Sequence, residues 1–179
     1  MYGSNLEQAT KFSAESNKSF KNLNNFSGEL ESLFCLCNCE SATSTSTVGA
    51  SANALHAMGL EKDNMAAIIW SSTFLVPLGG GLVNIPAGDS QESKDVAAAL
   101  AGLRKFTEAA EPATALSSLP KSFQIMAHAV EAFGSIYASE AGNAERSLKS
   151  AQAALEIMKT SSNLKPFLKE SYTAVAEVS

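Results

Sequence analysis

Three cysteines at alternate positions, Cys35-Leu36-Cys37-Asn38-Cys39, carry the sharpest chemical potential in this chain. Soft thiolates bind zinc or copper(I), and His56 is the nearest further ligand. Structural zinc sites separate their paired cysteines by two or more residues and draw on a second pair, which this sequence lacks. The motif therefore predicts no metal. Clustered thiols beside apolar residues also suit S-acylation, which tethers a helix to a membrane. The spacing favours the plainest reading, small hydrophobes at a helix end with some thiols buried and one or two reactive.

Other catalytic arrangements are weaker still. A cysteine nucleophile needs a histidine base, and the candidates are His56 and His128, the second beside an apolar helical stripe where histidines are usually structural. Asp63, Asp89 and Asp95 stand where helix-start residues belong, and the glutamates scatter over expected polar faces. Gly79-Gly80-Gly81 lacks the Lys-Ser/Thr pair of a phosphate loop and the preceding strand of a dinucleotide site. The reading is a non-enzymatic protein without catalytic residues, metal or cofactor.

The elements that must position these residues are helical. Leu6, Phe20 and Phe34 fall on one heptad position and Ala9, Leu23, Leu30 and Cys37 on another, while Ser13, Ser16 and Ser27 interrupt the seam. This predicts a helix from Asn17 to Leu36, preceded by a flexible polar leader over residues 1–16. Glu40 to Thr47 reads as a polar connector, with Ser46 or Thr47 capping a helix that presents Val48, Ala52 and Leu55 and stops at Gly59.

Met65 to Gly88 contains no ionisable side chain. Pro77 and the three glycines after Leu78 break the ladder that a spanning helix needs, so the reading is a buried helix from Asp63 to Val76 and an apolar loop from Pro77 to Gly88. Trp70, Phe74, Leu78, Leu82 and Ile85 are the candidates for contact with a partner or with lipid.

Asp89-x-x-Glu92 resembles a capping box, and the helix behind it shows Val96, Leu100, Leu103 and Phe106 at helical spacing until Pro112. A short piece from Ala113 to Leu119 precedes the clearest stripe in the chain. There Phe123, Met126, Ala127, Val130, Phe133 and Tyr137 share one face of a helix from Lys121 to Ser139. A helix from Asn143 to Thr160 should bury Leu148, Ala151, Leu155 and Met158, and a last one should cover Leu164 to Val178. No strand pattern or internal repeat competes.

The fold expectation is all-α: one domain over residues 17–179, a bundle of six or seven helices with a partly disordered N-terminus. A 45% hydrophobic content suffices for its core. A net charge of −5 with a pI near 5.1 offers phosphate backbones no broad electrostatic footprint, so nucleic acid is not an expected partner. At 17% charged residues the surface is weakly charged and easily docked. An odd, tightly clustered set of cysteines and the lack of a basic-then-apolar leader point to a reducing bacterial cytoplasm, or to export without a classical signal peptide.

In composition alone, the first thirty residues resemble the Ser/Asn-rich leaders of bacterial type III secretion substrates. That resemblance implies a secreted effector or secretion-associated protein, with a host cell as a destination. The leading expectation is a helical interaction protein with a protein partner. Two others stand beside it: a membrane-associated or permeabilising protein using residues 65–86 on a membrane surface, and a small-molecule binder in an interhelical pocket. Oligomeric state is left open.

Overall fold

The computed structural model describes residues 3–43, 48–76, 90–107, 116–137 and 143–161. Among them the chain is all-helical, with seven helices and no strand. These are α1 (Gly3–Asn22), α2 (Phe26–Thr43), α3 (Val48–Glu61), α4 (Met65–Leu75), α5 (Gln91–Thr107), α6 (Lys121–Tyr137) and α7 (Asn143–Lys159). Their contacts cluster into two compact units, residues 1–74 and 75–179. The loop from Pro77 to Gly88, the Ser46/Thr47 cap and the helix expected over Leu164 to Val178 lie outside the described residues.

In the first unit, α1 and α2 form a hairpin where the sequence predicts a polar leader and one helix from Asn17 to Leu36. Residues 3–16 are helical as part of α1, which packs along α2 and ties down two of its polar side chains. Thr10 Oγ1 donates to the Leu6 carbonyl (2.9 Å), and Asn17 Nδ2 reaches across to the Glu29 carbonyl (3.1 Å) and Ser32 Oγ (3.2 Å). Tertiary packing outweighs the poor helix propensity of Ser and Asn in such a segment.

The break between α1 and α2 is a helix stop built on Asn24, whose φ of 51° is left-handed. Asn24 N–H bonds to the Lys21 carbonyl (3.1 Å) and Asn25 N–H to the Phe20 carbonyl (2.9 Å), the paired bonds of a Schellman ending. The Asn25 side chain then caps α2 by accepting from Gly28 N–H (3.1 Å). The corner between α3 and α4 repeats the construction. Asp63 takes φ 48°, Asn64 N–H bonds to the Gly59 carbonyl (2.8 Å), and Asn64 Oδ1 caps Ala67 N–H (3.0 Å). The cap of α4 is thus Asn64, one residue beyond the expected start, because Asp63 is spent on the left-handed turn. Leu33, Cys37, Ala52, Leu55, Ala67, Ile68 and Ile69 supply the buried apolar residues of this unit.

In the second unit, Ser90 caps α5 by accepting from Ser93 N–H at 3.1 Å. Val96, Ala99, Leu100 and Leu103 are buried on α5. Helix α6 is buried well beyond the expected stripe. Ile125, Ala127, Ala129, Val130, Ala132 and Phe133 are all buried, whereas Phe123 and Met126 are half-buried. Helix α7 packs on α6 through Ser147, Ala151, Ala154 and Met158, a spacing of four, three and four residues. Leu148, expected inside, is 39% exposed, because the small Ser147 and Ala154 take the positions nearest α6.

Candidate functional site

Helix geometry divides the three thiols. Alternate residues stand about 200° apart around an α-helix, so Cys37 faces the opposite way from the Cys35/Cys39 pair. Cys37 is fully buried, Cys39 is half-buried and Cys35 is exposed. Burial, with the Glu40 carboxylate adding to it, pushes the Cys37 thiol from its ordinary 9.0 up to about 12. Among the described residues no group of three or more His, Cys, Asp or Glu side chains is placed to hold a metal ion.

Two consequences follow for measurement. Iodoacetamide at pH 8 should modify Cys35 rapidly in the native protein and Cys37 only after denaturation, as read by peptide mass spectrometry. Equal native rates would contradict the assignment of Cys37 to the core. The fold also prefers the protonated Cys37, so its contribution is fully present below about pH 9 and is lost as pH rises towards 12.

His56 is buried, and its Nδ1 lies 2.9 Å from Ser71 Oγ. Ser71 Oγ also lies 2.9 Å from the Ile68 carbonyl, within reach of its own helix backbone. With Ser71 fully buried, the pair ties α3 to α4 inside the first unit. His128, on α6, is half-buried, and burial holds its pKa below the ordinary 6.5.

Of the residues expected to contact a partner or lipid, Trp70 is half-buried and its ring packs against Phe34 of α2. Phe74 is also half-buried, and Leu78, Leu82 and Ile85 lie outside the described residues. No helix among the described residues is long and apolar enough to cross a membrane.

Two features escaped the sequence reading. The first is a charge-free stripe on α1 and its corner, formed by Asn5, Gln8, Phe12, Ser16, Ser19 and Leu23. At about 100° per residue these six fall within one 80° sector, while Glu7, Lys11, Glu15, Lys18 and Lys21 lie elsewhere around the helix. All six are exposed, Phe12 by 62% and Leu23 by 73%. Leu23 N–H still bonds to the Ser19 carbonyl (3.1 Å), which keeps it in helical register. Once residues 3–22 are recognised as helix, this pattern is readable from spacing alone.

The second is a cleft of about 300 Å³ in the second unit, lined by Thr107 of α5, His128 and Glu131 of α6, and Arg146, Lys149 and Ser150 of α7. Glu131 Oε1 accepts from Arg104 Nε at 3.2 Å and lies 3.4 Å from Ser135 Oγ. That ion pair is largely buried, with 16% and 10% of the two side chains exposed. It joins residues 27 positions apart, which no local pattern announces.

No protein-family model, curated protein or solved structure matches this chain.

Proposed function

We propose that this chain is a non-enzymatic helical interaction protein that receives a helix of a protein partner along α1. The observation that carries the reading is the uncharged stripe from Asn5 to Leu23. A helix face that only meets water gains from charged side chains. This one gathers its charges elsewhere and leaves an aromatic and a leucine in solvent, about three turns and 16 Å apart. Anchors at that spacing suit a partner helix laid lengthwise with its own apolar stripe, the helix-in-groove mode of recognition. The low charge of the whole chain supports the same reading, since few ions need to be desolvated on docking.

A photo-crosslinking residue in place of Ser16 identifies the partner in the source cells, and purified partner is then titrated against the chain. Phe12→Ser with Leu23→Ser should leave helicity and melting temperature unchanged and weaken binding by about tenfold or more, as expected for interface anchors. Unchanged affinity in the double variant, or crosslinking only to a second copy of this chain, overturns the reading.

A further inference from the structure

We infer that Cys35 and Cys39 form a binding site for one copper(I) ion, held between their two thiolates on the outer face of α2. The residues are four apart in an unbroken helix, so they stand one turn apart and about 40° from each other around its axis. Their Cβ atoms are then about 5–6 Å apart. The two Cβ–Sγ bonds need only lean towards each other to reach the span of a linear sulfur–metal–sulfur unit, twice a metal–thiolate bond of about 2.3 Å. Cys35 is exposed, Cys39 is half-buried and neither is in a disulfide, so an ion reaches the pair from solvent.

The ligand count selects the ion. Among the described residues no group of three or more His, Cys, Asp or Glu side chains is placed to hold a metal, whereas a structural zinc ion requires four ligands. Copper(I) is a soft cation that thiolates prefer, and two sulfurs in a line satisfy it. The want of a second cysteine pair, which excludes zinc, is therefore no obstacle to copper(I). Cys37, two residues from each ligand, faces the core and is fully buried, which takes the third cysteine out of the set. On binding, two S–H bonds break and two S–Cu bonds form, both protons pass to solvent, and copper is neither oxidised nor reduced. The site lies on α2 and stands or falls independently of the α1 stripe.

Anaerobic titration of the reduced full-length chain with copper(I), in competition with the chelator bicinchoninate, tests the site. One equivalent should pass to the protein, with a sulfur-to-copper charge-transfer band in the ultraviolet and two sulfur neighbours by X-ray absorption. Cys35→Ser and Cys39→Ser should each weaken binding by at least about a hundredfold, more than the loss of an outer-shell contact does. Cys37→Ala, checked for helicity by circular dichroism, should keep both stoichiometry and affinity. A measurement on the parent chain alone discriminates in the same way: bound copper should shield Cys35 and Cys39 from iodoacetamide. No copper taken from the chelator, full affinity in either serine variant, alkylation of Cys35 and Cys39 unchanged by copper, or a copper-dependent dimer joined through Cys35 of two chains overturns the inference. So does loss of binding in a folded Cys37→Ala variant.

Discussion

Replacing Phe133 with alanine should lower the stability of the protein by about 3–5 kcal/mol, the range for truncating a buried aromatic. Phe133 is 7% exposed and stands on α6, the helix that packs against both α5 and α7. The truncated ring leaves a void in a helix already crowded on several sides. A Cβ built at neighbouring Gly134 would meet the Leu100 side chain at 2.6 Å, so α5 lies too close for a simple inward shift to fill the gap. Urea denaturation at constant m-value measures the loss, with Phe12→Ala as the control. Phe12 is 62% exposed and its truncation should change stability by no more than about 0.5 kcal/mol. A loss below about 1 kcal/mol at Phe133 would remove α6 from the centre of its unit.

The all-helical class was legible because helical periodicity pervades the chain and no alternating run competes with it. Val96, Leu100 and Leu103 are buried as their spacing predicts, and so are Ala52 and Leu55. Where the pattern was thinner, the reading slipped. On α7, Leu148 and Ser147 are adjacent, and hydropathy alone chose the leucine, whereas close approach to α6 favours the smaller side chain. On α1, composition suggested a frayed leader, because the bonds that satisfy Asn17 come from residues 12 and 15 positions away.

The candidate sites divide in the same way. Separation of Cys37 from Cys35 and Cys39 follows from the helical repeat and was available in the sequence. The α1 stripe was available too, once the helix was granted. The two corners share a short signature, Asn24-Asn25 and Asp63-Asn64, in which the first residue takes the left-handed turn and the second caps the next helix. The cleft between α5, α6 and α7 was not legible. It depends on three helices bringing together Thr107, His128 and Lys149, which have no common spacing.

Gly59 is where a sequence rule and the structure diverge most usefully, and its replacement by alanine should destabilise the protein. Glycine near the end of a helical pattern ordinarily marks a stop, yet α3 continues to Glu61 and Gly59 lies inside it. A Cβ there would sit 2.8 Å from Ile68 Cγ1 and 3.0 Å from the Ile68 backbone nitrogen. The side chain can turn aside, but the backbone nitrogen is fixed, since Ile68 N–H bonds to the Asn64 carbonyl (3.1 Å) in the first turn of α4. Relief must therefore come from prying α3 away from α4, against the Asn64–Gly59 bond and the His56–Ser71 contact. Overpacking of this kind costs about 1–3 kcal/mol, more than the gain of about 1 kcal/mol that alanine brings to a helix interior. Gly49, on the same helix with no atom within 4 Å of a built Cβ, isolates the propensity effect. Gly49→Ala should stabilise by up to about 1 kcal/mol and Gly59→Ala should destabilise, so thermal melts of the two variants should move in opposite directions. Stabilisation by both would mean that α3 and α4 do not meet at Gly59, and the shared corner architecture would lose its physical basis.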